Sequence, residues 1–561
     1  MLNWEKNAIP IALLLILVSL IFPFRWGEIA FYNDRVDLLG TTWSVSHVSN
    51  AIREGHNPWF TNQMLAPDGI SLLSHTSVFI IGLFDVFIQN PVSSINLVLF
   101  LNFVFLAWGF YKLSSIWINE PWMQLCIAVM SVFTTYYQAK FGIHINLVLQ
   151  CTVPWSAYYI LTSVNLVHVL YVHNKLKLLI GILLAGIGLI FDYYTIVSLA
   201  FLLLPTFLWN LGVENVLSRS KRKHGLLAAI ALVIFHFISR LLYMAGYDKK
   251  GGIWEAADFR QLFIPSSLGK WVHSKAVFPQ SPVTENFIYL GWSLLIALIL
   301  FGLILWYQKR KFHFPNRITA IWFGLILSLI VVLPVIRLDG KNLWYTPSAW
   351  LHFIPVLDHF RMPTRIIPLV NFYMALLVVH YLLELPSQIN KWKLPLLLLI
   401  SFFFVLEHKT RTPQYFSIND FSISKKEKEM IKGKTVLSFP WGIRDGLKEM
   451  GSYNPHDYVL MLQPDVKLIS AYISRISPQR WQQLQTDSFL ILMDKTQKDA
   501  KVSWTKKQMD IVKQGLDSRN IDVVRIPNEY SFMAEKFKAM ESITWLETKS
   551  TTGLYLIKSH P

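Results

Sequence analysis

Long apolar runs separated by short basic stretches dominate the first 407 residues of the chain. Uncharged runs at about 7–24, 92–111, 121–139, 145–170, 286–308, 318–336 and 366–383 each reach the roughly 17 to 25 residues a bilayer-crossing helix needs. Asp192 divides the runs 178–191 and 193–213, and Arg240 interrupts 225–245. The run 394–406 is short, flanked by Lys393 and Glu407, whose side chains can snorkel to the interface. The pattern predicts about eleven transmembrane helices. The first run, 7–24, is followed by no small-residue cleavage site and reads as a span.

After residue 408 the period changes. VLSFPW, VKLISAYI, FLILMD, IDVVRI and TGLYLIK read as strands, and KKQMDIVKQGLDSRN as an amphipathic helix. The fold class expected is an α-helical polytopic membrane protein, with a transmembrane domain over 1–407 and a small extracytoplasmic α/β domain over 408–561.

Composition agrees with this pattern and removes some classes of function. Of the 561 residues 53% are hydrophobic and 16% charged, with 38 Phe, 22 Tyr and 21 Trp, a load suited to lipid-facing surface and interfacial belts. The net charge of +17 would suggest nucleic acid in a soluble protein. Here the cations sit in short loops between apolar runs: Lys175 and Lys177; Arg219, Lys221, Arg222 and Lys223; Lys309, Arg310, Lys311 and Arg317. That is the positive-inside pattern, which points to topology and not to a nucleic-acid partner. It puts the N-terminus inside and places 25–76, the turn at Asp192, 246–285, 338–362 and everything after 408 outside. The assignment holds if SVFIIGLFDVFIQN, residues 77–90, does not cross fully and is an interfacial or re-entrant segment with Asp85 on its wet face. Two cysteines within apolar runs support neither a disulfide framework nor a zinc site.

Candidate chemistry collects in the outer segments. NDRVDLLGTTW places Asp34 and Asp37 just past the first span, and residues 38–54 can form an interfacial helix with Leu38, Trp43 and Ile52 on lipid. An acid there either caps the helix, a contribution of about 0.3–1 kcal/mol, or serves as a general base or metal ligand. GHNPWFTNQMLAPDG has turn chemistry at Asn57-Pro58 and Pro67-Asp68-Gly69, with His56 and His75 as candidate ligands that are more often structural. Asp192 in IFDYYTI is either a functional intramembrane acid or a headgroup-level turn with Tyr193 and Tyr194 in the aromatic belt. His144 and Asn146 begin a span at the same face. In LDHFRMPTRI, Arg361 and Arg365 stand four apart; if Pro363 opens the helix they can converge on an anion, the alternative being snorkelling to lipid phosphate. Arg260, Lys270 and Lys341 are weaker versions of the same arrangement. No Walker loop, GxGxxG cradle or HExxH site is present.

Taken together, EGHNPWFT, APDGISLLSHTS, FGIHINL, FDYY, ADFRQLFIPSSLG, ENFIYLG and HFRMPTRI resemble segments of the bacterial GT-C-type integral-membrane glycosyltransferases, in particular large membrane-protein relatives with an extracytoplasmic C-terminal domain. The resemblance implies transfer of a sugar from a polyprenyl-phosphate donor to a lipid or glycan acceptor at the outer face of the cytoplasmic (inner) membrane. Asp37 matches the catalytic aspartate of the first outer loop; Arg361 and Arg365, with Arg260 and Lys341, are the candidates for the donor phosphate. Asp34, Asp192, Glu255 and Asp258 are candidate supporting acids by location, and His56, Asn57, His144, Asn146, Tyr193 and Tyr194 candidate cavity-lining residues. Many relatives carry two adjacent acids in the first loop, whereas two residues separate Asp34 from Asp37. That weakens metal binding by a paired carboxylate, so a divalent metal is left open and no cofactor is called. The alternative is a non-catalytic lipid or glycan transport or envelope-assembly protein of the same fold.

Overall fold

The computed structural model describes residues 4–31, 35–72, 78–141, 144–164, 172–192, 194–208, 238, 256–276, 278, 286–308, 316–353, 362–445, 448–463, 465–473, 476–540, 543–550 and 553–558. The chain falls into two compact units: Met1–Phe24 with Leu99–Gln414, and Arg25–Val98 with Tyr415–Pro561. This grouping does not follow the linear division expected at residue 407, because the first outer segment sits with the C-terminal third. The cause is local pairing: the Ala66 amide donates to the Leu468 carbonyl at 3.0 Å, and the Leu468 amide to the Gln63 carbonyl at 2.8 Å.

The first unit is helical. Among the described residues three helices are long and apolar enough to cross a membrane: Pro91–Ser114, Pro363–Glu384 and Ser387–His408. Other apolar helices, such as Asn7–Ile21, Pro121–Val132, Trp292–Gln308 and Ile318–Val332, are shorter than that criterion, so fewer clean spans are seen than the eleven expected. The expected run 225–245 lies outside the described residues save for Ile238. The expected run 145–170 is broken into Ile145–Val148 and Thr152–Leu161, with 165–171 outside the described residues. The run 121–139 also breaks, after Val132, and resumes at Thr135. Free backbone groups in such a break need partners inside the protein. They have them: Gln138 Nε2 donates to the Phe133 carbonyl at 3.1 Å, and the Thr135 amide donates to His408 Nδ1 at 3.0 Å.

Helix Ile367–Glu384 is the axis of this unit, packed by helices Pro121–Val132, Trp292–Gln308 and Asn316–Val332. Close approach is permitted at Gly324, where a Cβ would lie 2.5 Å from the Tyr373 ring. The Tyr373 hydroxyl donates to the Phe201 carbonyl at 2.9 Å, which offsets the cost of burying the phenol there.

In the second unit a five-stranded sheet runs in the order Lys467–Leu468, Thr435–Ser438, Val523–Ile526, Gly553–Lys558, Trp545–Ser550. Its first three strands are parallel and its last two pair antiparallel. A smaller sheet sets Ala471–Tyr472 parallel to Gly442–Arg444, which pairs antiparallel with Glu449–Gly451. Three local expectations are corrected here. FLILMD is part of helix Ser488–Lys498, capped by the Asp487 side chain on the Leu490 amide; an apolar run this short has no diagnostic period, and the cap decides it. Leu38 and Trp43 are each 1% exposed and face protein, the indole N–H donating to Gln63 Oε1 at 3.1 Å. Asp85 is buried and accepts from the Ser94 hydroxyl at 2.7 Å, while Leu83, Phe84 and Phe87 of helix Phe79–Ile88 face outward.

Candidate functional site

The first-loop acid lies in the second unit. Asp37 occupies the first turn of helix Arg35–Arg53, is half-buried, and has the Tyr472 hydroxyl 3.5 Å from Oδ1, the outer limit of a hydrogen bond. Gly40, one turn on, explains how the helix sits here: a Cβ would meet the Tyr458 ring at 2.9 Å. Glycine in a helix interior costs about 1 kcal/mol relative to alanine, and the close approach is what it permits. Tyr458 is 1% exposed, and its hydroxyl donates to the Tyr472 carbonyl. Burial, then the neighbouring Tyr472 and the charge of Asp37, push the Tyr458 phenol well up, so it remains a donor. Tyr453 packs against both rings, at centroid distances of 5.9 Å to Tyr458 and 5.3 Å to Tyr472. Arg444, paired with Tyr472 across the small sheet, lays its guanidinium 5.5 Å from the Tyr472 ring centre. The PDG turn is held to the same unit by Arg480, whose guanidinium is 2.9 Å from Asp68.

His56 and Asn57 serve this loop as turn residues. His56 is exposed and 3.3 Å from Glu54, and Asn57 Oδ1 accepts from the Trp59 amide at 2.9 Å. This is an Asx turn, as the Asn-Pro pair suggests.

The first unit brings together ADFRQ and a hairpin. Asp258 is fully buried and accepts from the Arg260 amide at 3.0 Å, from Arg260 Nε at 2.9 Å, from Arg260 Nη2 at 3.0 Å and from the Asp339 amide at 2.9 Å. It also forms a capping box with Gln261 over the short helix Phe259–Leu262. Burial pushes its carboxyl up, but the Arg260 and Asp339 hydrogen bonds outweigh it and hold the group below the ordinary carboxylate range. Arg260 is in turn 2.5 Å from Asp339, so two carboxylates balance its charge. Lys341 is exposed and opens the second strand of the hairpin Val335–Leu338/Lys341–Tyr345. ADFRQLFIPSSLG and ENFIYLG meet where the Leu290 amide donates to the Leu262 carbonyl at 3.0 Å.

FDYY and RMPTRI also converge in this unit. Asp192 is 8% exposed and accepts from the Tyr194 amide at 3.2 Å, a capping contact at the start of helix Tyr194–Leu208. The Tyr194 hydroxyl accepts from the Met362 amide at 3.0 Å, and the Arg365 guanidinium lies 4.8 Å from the Tyr194 ring centre. Pro363 does open a helix, the short Pro363–Ile366 turn that leads into Ile367–Glu384. His144 is half-buried and links two short helices, its amide donating to the Lys140 carbonyl at 3.0 Å. Asp34, His75, Tyr193, Glu255 and Arg361, and the side chain of Asn146, lie outside the described residues. Among the described residues no three His, Cys, Asp or Glu side chains cluster to hold a metal ion.

Sequence reasoning missed Tyr472, Tyr458, Gly40 and Arg444. The signal for Gly40 was a glycine inside a helical pattern, a mark of close packing. The tyrosines and arginine lie some 400 residues away and carry no spacing to Asp37 that a reading along the chain can use.

No curated protein matches the chain. Solved structures similar to it include the arabinofuranosyltransferase AftD from Mycobacteria, at 14% identity and a TM-score of 0.49 over 100% of this chain and 42% of AftD. The chain thus spans less than half the length of AftD. The Archaeoglobus fulgidus oligosaccharyltransferase in its apo form is similar at 9% identity and a TM-score of 0.46, over 99% of this chain and 75% of that one. Archaeoglobus fulgidus AglB, in complex with an inhibitory peptide and a dolichol-phosphate, is similar at 10% identity and a TM-score of 0.34, over 99% and 75%. Residues 56–405 match the family described as a domain of unknown function, DUF6311. That match takes in the PDG turn, ADFRQ, FDYY and RMPTRI together, and the chain is a membrane protein that belongs to the DUF6311 family.

Proposed function

We propose that the protein is a membrane glycosyltransferase that moves a sugar from a polyprenyl-phosphate donor to a lipid or glycan acceptor at the outer face of the cytoplasmic membrane. In this reading the N-terminus is inside and residues 408–561 are outside. The observation that carries it is Asp37, the acid that matches the first-loop aspartate of the GT-C enzymes. It is half-buried at a helix start, with a phenol 3.5 Å away.

In the reaction, Asp37 takes the proton of the acceptor hydroxyl, and the acceptor oxygen bonds to the anomeric carbon. The bond from that carbon to the phosphate oxygen breaks, and the polyprenyl phosphate leaves with the electron pair. Cations stabilise that departing charge. Arg365 and Arg361 are assigned this task; Arg260, already balanced by Asp258 and Asp339, has less field to offer an anion.

The test incubates membranes carrying the full chain with labelled polyprenyl-phosphate hexoses and pentoses. Donor consumption that is lost in Asp37→Asn, with insertion retained, supports the reading. The second reading, a non-catalytic lipid or glycan transport or assembly protein, draws on the bracing of Asp258 and Arg260, which occupies two of the candidate groups. It expects isoprenoid to be recovered bound and no donor to be consumed.

A further inference from the structure

We infer that Tyr472 is a positioning residue for Asp37, so that the C-terminal part of the chain completes the catalytic corner of the first loop. The inference rests on the glycosyl-transfer reading and deepens it. Five contacts within one compact unit lead from the first-loop helix to this phenol. The absent side chain at Gly40 lets helix Arg35–Arg53 settle on the Tyr458 ring. The buried Tyr458 hydroxyl donates to the Tyr472 carbonyl and anchors the end of strand Ala471–Tyr472. Arg444 lies over the Tyr472 ring from the paired strand, and Tyr453 packs beside it, so the ring is held from two sides. Its hydroxyl is then left 3.5 Å from Asp37 Oδ1.

Contacts of this kind are commonly long before substrate is bound and shorten in the reacting complex. A phenol donating to a carboxylate has two effects. It orients the carboxylate, and it favours the charged form, the only form able to accept a proton. Tyr472 touches Asp37 and is assigned no contact with substrate, so its role is exerted through the acid.

The experiment compares wild type, Asp37→Asn and Tyr472→Phe as full-length protein in membranes, with labelled polyprenyl-phosphate hexoses and pentoses as probes. Phenylalanine keeps the ring, the Arg444 contact and the backbone carbonyl that receives Tyr458, and removes only the hydroxyl. Tyr472→Phe is expected to lower kcat about three- to tenfold with KM for the donor within about twofold. Loss of the donor raises the pKa of the base, so the acid limb of the pH–kcat profile should move up by about half a unit to one unit. A purely structural phenol would change the amount of folded protein and leave that limb in place. If Asp37→Asn is inactive while Tyr472→Phe matches wild type in rate and pH profile, this inference is overturned and the glycosyl-transfer reading stands. If wild type consumes none of the donors, or Asp37→Asn consumes them as wild type does, the reading fails and takes the inference with it.

Discussion

Two aspartates that look alike in sequence, each beside an arginine-bearing outer segment, end in opposite situations. Asp258 in the first unit is fully buried and receives four hydrogen bonds, three of them from Arg260. Asp37 in the second unit is half-buried at a helix start, with a phenol at the limit of hydrogen-bond reach. A carboxylate whose lone pairs are filled by its own protein holds a corner together and is a poor base, because accepting a proton would break those bonds. The comparison sets an acid held by its own neighbours beside the acid proposed as the base, and each side of it can be broken by one substitution.

The largest effect should come from Asp37→Asn. Removing a general base lowers rates by about 10²- to 10⁴-fold, and a half-buried acid replaced by its amide should leave stability within about 1 kcal/mol. Donor consumption in membranes and the melting temperature of detergent-solubilised protein measure the two separately. A variant that melts far lower and loses activity in proportion to folded protein would make Asp37 a structural residue like Asp258.

Asp457 tests whether a buried acid near the Asp37 corner is tolerated in its charged form. It is fully buried, next to Tyr458 in the chain, and accepts from the Ser470 hydroxyl. Burial pushes its carboxyl from the ordinary 3.8 up to about 6, against the opposing help of Ser470, Ser438 and Arg525. The folded state therefore holds this proton more tightly than the unfolded state. Its contribution to stability is greatest below about pH 4 and declines by about 3 kcal/mol as pH rises to about 6. Asp457→Asn keeps the Ser470 contact and removes the titration, so the fall in melting temperature between pH 4 and 6 should flatten. An unchanged slope would mean that other groups set it.

Asp258→Asn completes the contrast from the other side. Losing a charged acceptor shared by Arg260 and the Asp339 amide should cost about 2–3 kcal/mol of stability. Because the folded carboxyl is held low, this difference is present above about pH 4 and vanishes as pH falls through the folded pKa. A variant that keeps its melting temperature but loses turnover would move Asp258 into the reaction.

How much of this was legible depends on sequence distance. Asp37 was singled out through the resemblance of its loop to the GT-C enzymes, and the turns at Asn57-Pro58 and Pro67-Asp68-Gly69 follow from residues in contact with their own neighbours. Asp192 and Asp258 cap amides only two residues on, yet neither cap is among the expectations, which give Asp192 as an intramembrane acid or a headgroup-level turn and Asp258 as a supporting acid by location. Trp43 shows where the reading fails. On a helix between apolar runs an indole is expected in lipid, but Tyr458 and Gln63, brought up by the fold, help turn it into core. The expected span at 145–170 failed for a related reason. A long apolar run reports burial but not a continuous helix, since in a packed bundle a side chain can satisfy a broken backbone, as Asn102 does here by donating to the Val148 carbonyl and accepting from the Cys151 amide.

The smallest effect is expected at the most conspicuous motif residue. His56 opens HNPW beside a PDG turn, the sort of placement that suggests a ligand. In the fold its ring is exposed and 3.3 Å from Glu54, a surface pair worth at most about 1 kcal/mol and often nothing measurable. The turn itself is held by Asn57 Oδ1 on the Trp59 amide and by the His56 amide on the Ala51 carbonyl at 2.7 Å, and neither bond needs the imidazole. His56→Ala should therefore shift stability by less than about 0.5 kcal/mol and leave donor consumption within about twofold of wild type. A tenfold loss of consumption with an unchanged melting temperature would make the imidazole a ligand-binding group. The proposed site would then extend out from Asp37 along the loop, and Asp37 alone would no longer delimit it.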